Sequence, residues 1–526
     1  MPISHSTTSS NSEASTFTVK NSHRRLGDPI VLSLTMGFIA LFIGLSTYDS
    51  AWLTSQIGTG FTWTAKYLGS FFQVLLLATF FVAMGVALSR AGEAKIGNLE
   101  VPEISTFRWL SMVMCTLLAG GGVFFAAGEP IYHFIVTPPA FDVEAGTAAA
   151  VAPAMAQSFM HWGFLAWAVM GSLAAIVLAY AHYNLGKPLQ PRTLLHGVFG
   201  DWILTSWVGS VVDALCVIAV VAGTVGPIGF LATQMSYGLH VLFGFANGFT
   251  TQLFILLMLA VVYIASAMSG IHKGMQMLSR FNVFLALAIG TIIFIFGPTL
   301  FLTNTYFQSM GEYVSSFLSM ATITSETAPA WWMKWWTIFF FAWFIGYAPL
   351  MAIFVARISR GRTIRQMVIA VAILAPIATT IWFTLLGGSG IYYQMTGVVE
   401  LTEALKGFSF DVVTFSVAQA LPGGMWMALA MMLLTTIFVA TTGDSMSYSI
   451  AVVGAGHDEP HFSIRAFWGA AMAIMAGVLL YLGEGQIGVL QQFIVITAIP
   501  VSFIILPTLW TGPKAAMAMA REQNFR

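Results

Sequence analysis

Charge is what this sequence has least of. Asp, Glu, Lys and Arg make up only 8% of its 526 residues, against roughly a quarter in ordinary soluble domains, and that scarcity excludes a water-soluble fold. Cysteine is as sparse: Cys115 and Cys216 both fall in apolar runs, where a disulfide framework has no role and they read as small buried apolar side chains. Residues 1–29 are polar and Ser/Thr-rich, with no apolar stretch ahead of a cleavage site, so no removable signal peptide is expected. Arg24-Arg25 reads as a positive flank to the first span rather than a twin-arginine signal. No phosphate-cradling loop occurs, which excludes ATP-driven chemistry by this chain alone. No His/Glu metal spacing or nucleophile motif stands out within the apolar runs, so the chain reads as a non-enzyme. The short alternating segments of a β-barrel are absent too.

Apolar length is what the sequence has in abundance. Hydrophobic residues make up 58% of it, and runs of about 18 or more recur along the chain, each able to cross a hydrocarbon core roughly 30 Å thick as a helix. The expected spans are 30–48, 67–89, 109–127, 158–181, 207–232, 252–270, 281–304, 336–357, 368–393, 425–447, 466–483 and 487–511. The fold class is therefore an all-α polytopic membrane protein with about 12 transmembrane helices. Placing the N-terminus inside puts all but Lys66, Lys334 and Lys406 of the 21 Lys and Arg on the inner side, so the positive-inside rule predicts two cytoplasmic termini and an even span count.

Helix-breaking residues at membrane depth set two spans apart. The third reads Leu118-Ala119-Gly120-Gly121-Gly122-Val123 and ends in Gly128-Glu129-Pro130; the eighth carries Gly346-Tyr347-Ala348-Pro349. Non-helical backbone at that depth is tolerated only inside protein or along a cavity, and interrupted helices at matching places in two halves point to a binding site. Spans 3–7 and 8–12 would then be two equivalent five-helix units, inverted because each has an odd number of crossings. The alternative is that Gly and Pro are simply common in membrane helices. The resulting division is a cytoplasmic tail at 1–29, two peripheral helices and an inner loop at 30–104, a first repeat at 105–304, an outer segment at 305–335, a second repeat at 336–511 and a short cytoplasmic tail at 512–526. Residues 271–280 read as an amphipathic interfacial helix. Trp331, Trp332, Trp335 and Trp336 suit an interfacial aromatic belt.

A cation without hydrogen-bond donors is best held by aromatic faces, each worth about 0.5–2 kcal/mol. Aromatics cluster beside the broken spans. Trp162 and Trp167 are five residues apart, about 140° around a helix, and Trp343, Phe344 and Tyr347 share one face, with Phe341 off it. The competing reading is ordinary packing, since aromatics are 14% of the chain.

The stretch Phe354-Val355-Ala356-Arg357-Ile358-Ser359-Arg360-Gly361-Arg362-Thr363-Ile364-Arg365 resembles the signature of the betaine/carnitine/choline transporters. Weaker matches lie in the expected order at Lys95-Ile96-Gly97, Pro102-Glu103, Gly128-Glu129-Pro130 with Tyr132-His133-Phe134, His161-Trp162-Gly163 with Ala166-Trp167-Ala168, and Thr442-Gly443-Asp444-Ser445. The resemblance spans about residues 95 to 510. It implies a 5+5 inverted-repeat core of the amino-acid/sodium symporter (LeuT) type plus two N-terminal helices, with substrate between spans 3, 4 and 8. Carried over residue by residue, the substrate site is Trp162, Trp167, Trp343, Phe344 and Tyr347, with Phe341, Met170 and Gly121 beside them. Family members usually have Trp at Phe341, Phe344 and Tyr347 and an aromatic at Met170, so the box is thinner here. Their Gly-Met-Gly-x-Gly run aligns with Leu117-Leu118-Ala119-Gly120-Gly121, and only its last glycine is in register.

The resemblance also implies a sodium site of the Thr441 and Thr442 hydroxyls, the Phe438 carbonyl and span 3 carbonyls around Cys115 and Leu118. The alternative for adjacent threonines is bonding back to their own helix. A second sodium position keeps Thr224 but has lost its partner to Val220. Tyr347 and Met351 resemble sodium-independent carnitine exchangers, in which sulfur and a basic group replace sodium; Arg280 is the candidate for that basic group, against its reading as an inner flanking charge. Arg357, Arg360, Arg362 and Arg365 are read as gating residues. The expected function is sodium-coupled symport of a small onium compound such as glycine betaine, choline, carnitine or dimethylsulfoniopropionate. The rivals are substrate:product exchange, transport of a zwitterion such as taurine, and a sensor that has lost transport. The expected setting is the bacterial inner membrane, with a homotrimer implied by the resemblance, no nucleic acid and no cofactor beyond sodium.

Overall fold

The computed structural model describes residues 27–268, 274–455 and 460–524, apart from the side chains of 115–120, 266–268 and 274–279. The described residues are helical with no strand beyond one isolated bridge between Lys95 and Thr363. Nine helices among them are long and apolar enough to cross a membrane, or ten if one bent pair counts as a span.

The chain enters through α1 (Pro29–Tyr48), capped by Asp28, and turns at Asp49 into α2 (Ser50–Leu88). With 39 residues, α2 is about 58 Å long. It starts well before the expected 67, because Asp49 caps it and no proline interrupts it before Ser89.

The expected break in the third span is not present: α3 runs helically from Thr106 to Ile135 through its glycines, with Pro130 inside it. The fourth span is the interrupted one. Gly163 (φ −100°, ψ −137°) and Ser172 (φ −107°, ψ −94°) divide it into α4 (Val151–Trp162), α5 (Phe164–Gly171) and α6 (Leu173–Ala179). At Gly163 a Cβ would lie 2.2 Å from the Phe159 carbonyl oxygen, so only glycine fits there.

After α7 (Trp207–Phe243) and α8 (Phe249–Met268) comes α9 (Gly274–Phe296). The expected interfacial helix at 271–280 is corrected from 274 onward, where the chain already belongs to α9; 271–273 lie outside the described residues. At Gly297-Pro298 the chain bends by 109° into α10 (Thr299–Ser315), so the seventh span does not continue to 304. The proline ends α9 because it cannot donate a helical hydrogen bond.

Ala330–Met333 and the π turn Lys334–Ile338 lead into α11 (Phe339–Ile358), which is continuous across Gly346 and Pro349. Pro349 leaves the Ile345 carbonyl without its helical donor, but it does not unwind the helix. Then follow α12 (Ile364–Met395), α13 (Phe410–Ala420), α14 (Gly424–Ala455), α15 (Phe462–Leu482) and α16 (Gly488–Ile505). Residues beyond 508 form α17 (Thr508–Glu522), packed on α6 and α2 rather than trailing as a tail. Nearly every residue of α11 is buried, between α5, α6, α7 and α16. An apolar helix buried on all sides is a core element rather than a lipid-facing one.

Candidate functional site

The buried face of α11 meets α3 and α4 at an aromatic cluster. The Trp162 ring stands edge-on to Trp343 at 5.8 Å and to Phe344 at 5.4 Å, while Trp343 and Phe344 stack at 6.0 Å with 10° between their planes. These separations are those of favourable aromatic pairs. Gly121 lies against both indoles: a Cβ there would fall 2.3 Å from Trp343 and 3.1 Å from Trp162. Trp343 is fixed by a 3.1 Å hydrogen bond from its Nε1 to the Gly223 carbonyl of α7. Tyr347 closes the same side, its hydroxyl 3.3 Å from Thr224 Oγ1 and its ring against Gly223.

The structure thus brings Gly121, Trp162, Trp343, Phe344 and Tyr347 together. The other three expected residues stand apart. Phe341 faces His161 at 6.4 Å, as its position off the shared face requires. Trp167 and Met170 are buried on α5 beyond the Gly163 break, and among the described residues Trp167 makes no ring contact with the cluster.

Five rings were missed in the sequence, among them Phe125, 6.1 Å from Trp162 and 6.3 Å from Trp343, and Phe339, stacked on Trp343 at 5.4 Å. Phe340 touches Trp162 at 5.2 Å and Trp343 at 6.3 Å, Phe230 meets Trp343 at 5.8 Å, and Phe383 meets Trp162 at 5.3 Å. The spacing 340, 343, 344, 347 is a one-face helical pattern that identifies Phe340. Phe230 and Phe383 arrive from distant segments and leave no local signal.

Glu129 is wholly buried within α3, accepting a 2.7 Å hydrogen bond at Oε2 from the Trp162 indole and lying 2.6 Å at Oε1 from His161 Nδ1. His133, one turn along α3, places Nε2 3.4 Å from the same Oε1. The Glu129-x-x-x-His133 spacing was thus in the sequence as a His/Glu pair. One ligand-type atom from each of the three groups lies within 4.8 Å of the others. The carboxylate is already closed on His161 and Trp162, so the set reads as a hydrogen-bonded cluster rather than a metal cage. Trp332 and Trp336, expected in an interfacial belt, are buried against it, their rings 5.5 and 4.6 Å from His133.

On α14, Thr441 donates back to the Ile437 and Phe438 carbonyls at 2.9 and 3.0 Å. The Thr442 hydroxyl is different: it is buried with no hydrogen-bond partner among the described residues. Cys115 and Leu118 belong to the stretch whose side chains lie outside the described residues. Their backbone is helical, so the unwinding expected to free their carbonyls is not seen. Thr224 donates to the Val220 carbonyl at 2.8 Å, and Arg280 is exposed on α9. Asp444, buried on α14, pairs with Arg465 at 2.9 Å.

The arginine signature fastens helix ends. Gly361 (φ +81°) donates to the Ile96 carbonyl at 2.7 Å, and Ile96 donates to the Arg362 carbonyl at 2.9 Å. Arg360 pairs with Glu103 at 2.7 Å; Arg362 lies 4.7 Å over the Trp109 ring and bonds Thr106 and the Ile104 carbonyl; Arg365 holds the Ala87 carbonyl at 2.8 Å. Arg357 reaches the Tyr448 hydroxyl at 3.4 Å. Gln523 adds the end of α17, exchanging 2.7 Å hydrogen bonds with the Lys95 backbone.

Comparison with known proteins identifies the family. The betaine/carnitine/choline family transporter profile matches residues 30–521. Glycine betaine transporter 2 of Vibrio parahaemolyticus is 47% identical over 94% of this chain and 91% of its own length. Glycine betaine transporter OpuD of Bacillus subtilis is 31% identical over 91% of each, and the betaine/ectoine transporter LcoP of Corynebacterium glutamicum 31% identical over 91% of this chain and 76% of its own. The chain therefore belongs to the betaine/carnitine/choline family of transporters and is a multi-pass membrane transporter, not an enzyme.

Proposed function

We propose that this transporter is a sodium-coupled symporter that imports glycine betaine or a closely similar onium compound across a bacterial inner membrane by alternating access. The observation that carries the reading is the Trp162–Trp343–Phe344 cluster over Gly121. Its rings present π faces and edges at membrane depth with no Lys or Arg among them, a setting suited to a trimethylammonium group. In the packing described here the rings fill the space against Gly121, so admitting a cation requires Trp343 or Trp162 to move. The relatives named for glycine betaine support that substrate above choline or carnitine.

Sodium coupling rests on the Thr442 hydroxyl. A buried hydroxyl without a partner is costly, about 1–3 kcal/mol, and a hard cation with oxygen ligands relieves that cost. Thr441 is held by its own helix and joins the site only by turning away from the Phe438 carbonyl. At the second expected position, Thr224 bonds Val220 and accepts from Tyr347, so one coupling ion is the simpler reading. The expected basic substitute, Arg280, is exposed, which disfavours the exchange mechanism. Both termini inside and a homotrimer complete the proposal, on charge distribution and resemblance. Labelled glycine betaine taken up by proteoliposomes only under an inward sodium gradient supports it; uptake that ignores sodium but requires internal substrate overturns symport in favour of exchange.

A further inference from the structure

The Glu129 cluster holds an electrostatic imbalance beside the aromatic box. Gln157 and Thr337 both approach His161 Nε2, each at 3.0 Å, so a neutral His161 accepts there and donates Nδ1–H to Glu129. Both Glu129 oxygens then accept, and among the described residues no Lys or Arg lies within ion-pair distance of the carboxyl, so its charge, when ionised, has no fixed cation beside it. Buried charges are ordinarily paired, and a carboxylate at membrane depth is a functional candidate. Two cations can compensate it. One is an onium group over Trp162, whose indole N–H donates to Oε2; donation to a carboxylate makes the ring richer in electrons and its face a better cation site. The other is a proton at His133, whose Nε2 lies 3.4 Å from Oε1 and whose two nitrogens have no hydrogen-bond partner among the described residues.

The remaining charged and titratable groups nearby are turned elsewhere. Tyr132 packs its ring on Trp336 at 4.6 Å, and Lys334, on the turn that carries Thr337, reaches over the Phe61 ring at 5.5 Å. On the segments packed against α3, Glu403 and Lys406 pair with each other at 3.4 Å near the surface, and Asp411 bonds Asn247. On α10, which packs on α4, Tyr306 and Tyr313 flank Phe159, with the Tyr313 hydroxyl accepting from the Phe164 backbone.

Resting on the onium-transport reading, we propose that Glu129 and His133 form a proton site that empties when an onium cation enters the aromatic box, so that the two cations bind in exchange. With a proton on His133 the cluster is neutral; when the cation arrives the proton leaves to solvent and the carboxylate charge faces Trp162 and its guest. The onium cation and the proton therefore compete without touching the same atoms, a reciprocal coupling.

The test is calorimetry on the full chain in lipid nanodiscs at fixed sodium, titrating glycine betaine and choline in two buffers of different ionisation enthalpy. Release of up to one proton per ligand is expected across the pH range in which the Glu129–His133 site titrates, with Kd changing up to about tenfold per pH unit there. E129Q should abolish the release and weaken binding at every pH. H133N should abolish the release yet keep the wild-type affinity found at high pH; among the described residues His133 makes no hydrogen bond to lose, so this variant serves if E129Q does not fold. Binding without proton release in the wild type, or release unchanged in both variants, overturns the proposal. Absence of binding by either compound overturns instead the onium reading beneath it.

Discussion

At the residue scale the site depends on one hydrogen bond and one close approach. Trp343 touches Gly121, donates to Gly223 and stacks on Phe344, so W343A removes a cation-π face and the packing behind it. The expected outcome is glycine betaine affinity weakened about 2- to 30-fold, the equivalent of 0.5–2 kcal/mol, measured by tryptophan-quench or calorimetric titration; unchanged affinity would remove Trp343 from the site. Thr442 offers a second test. Its hydroxyl has no partner among the described residues, so T442V should cost the fold little while raising the sodium concentration for half-maximal uptake about tenfold or more, the loss of one ion ligand of about 1.4 kcal/mol. A variant with normal sodium dependence would leave that hydroxyl merely unsatisfied. The sequence made most of this box legible, because Trp343, Phe344 and Tyr347 share a helical face. It hid Phe230 and Phe383, and it hid the role of Glu129, whose partners His161 and Trp162 are 32 and 33 residues away; only tertiary packing joins them.

At the element scale the interruptions fell where glycine runs did not foretell them. Consecutive glycines in α3 stay helical, whereas the single Gly163 breaks α4 from α5 and the Tyr313 hydroxyl from α10 accepts the freed Phe164 N–H at 3.0 Å. A glycine weakens a helix by only about 1 kcal/mol, so the break follows from the fit at Gly163 rather than from composition. Y313F withdraws that acceptor and should lower thermal stability in detergent by about 1–3 kcal/mol, read from denaturation midpoints, with substrate affinity falling only through the shifted α4. The signature loop is a second hinge-like fastening. G361A meets both a left-handed φ of +81° and a contact 2.6 Å from the Val101 carbonyl oxygen, so it should destabilise by more than about 1 kcal/mol. R362A, which removes the stack on Trp109 and two hydrogen bonds, should release the junction of α3 with the 360–364 loop and increase proteolysis there. Protease resistance equal to wild type in both variants would deny the loop its fastening role.

At the scale of the whole molecule, apolar run length foretold that helices would cross the bilayer, but not where long helices begin or bend. The start of α2 at Ser50, the 109° turn at Gly297-Pro298 and the packed α17 each depend on caps, prolines or distant partners that hydropathy does not weigh. The family signature was legible because its arginines are spent on specific backbone carbonyls and carboxylates, which constrain residue identity more tightly than apolar packing does. The central claim is that the Trp162–Trp343–Phe344 cluster holds an onium cation that a sodium gradient drives inward. The most direct measurement is uptake of radiolabelled glycine betaine into proteoliposomes of wild type and W343A, with and without an inward sodium gradient. The account predicts accumulation by the wild type that requires the gradient, is blocked by excess choline or carnitine only to the extent that they bind the same box, and is strongly reduced in W343A at low substrate. Equal accumulation by W343A, or wild-type accumulation indifferent to sodium, would contradict it.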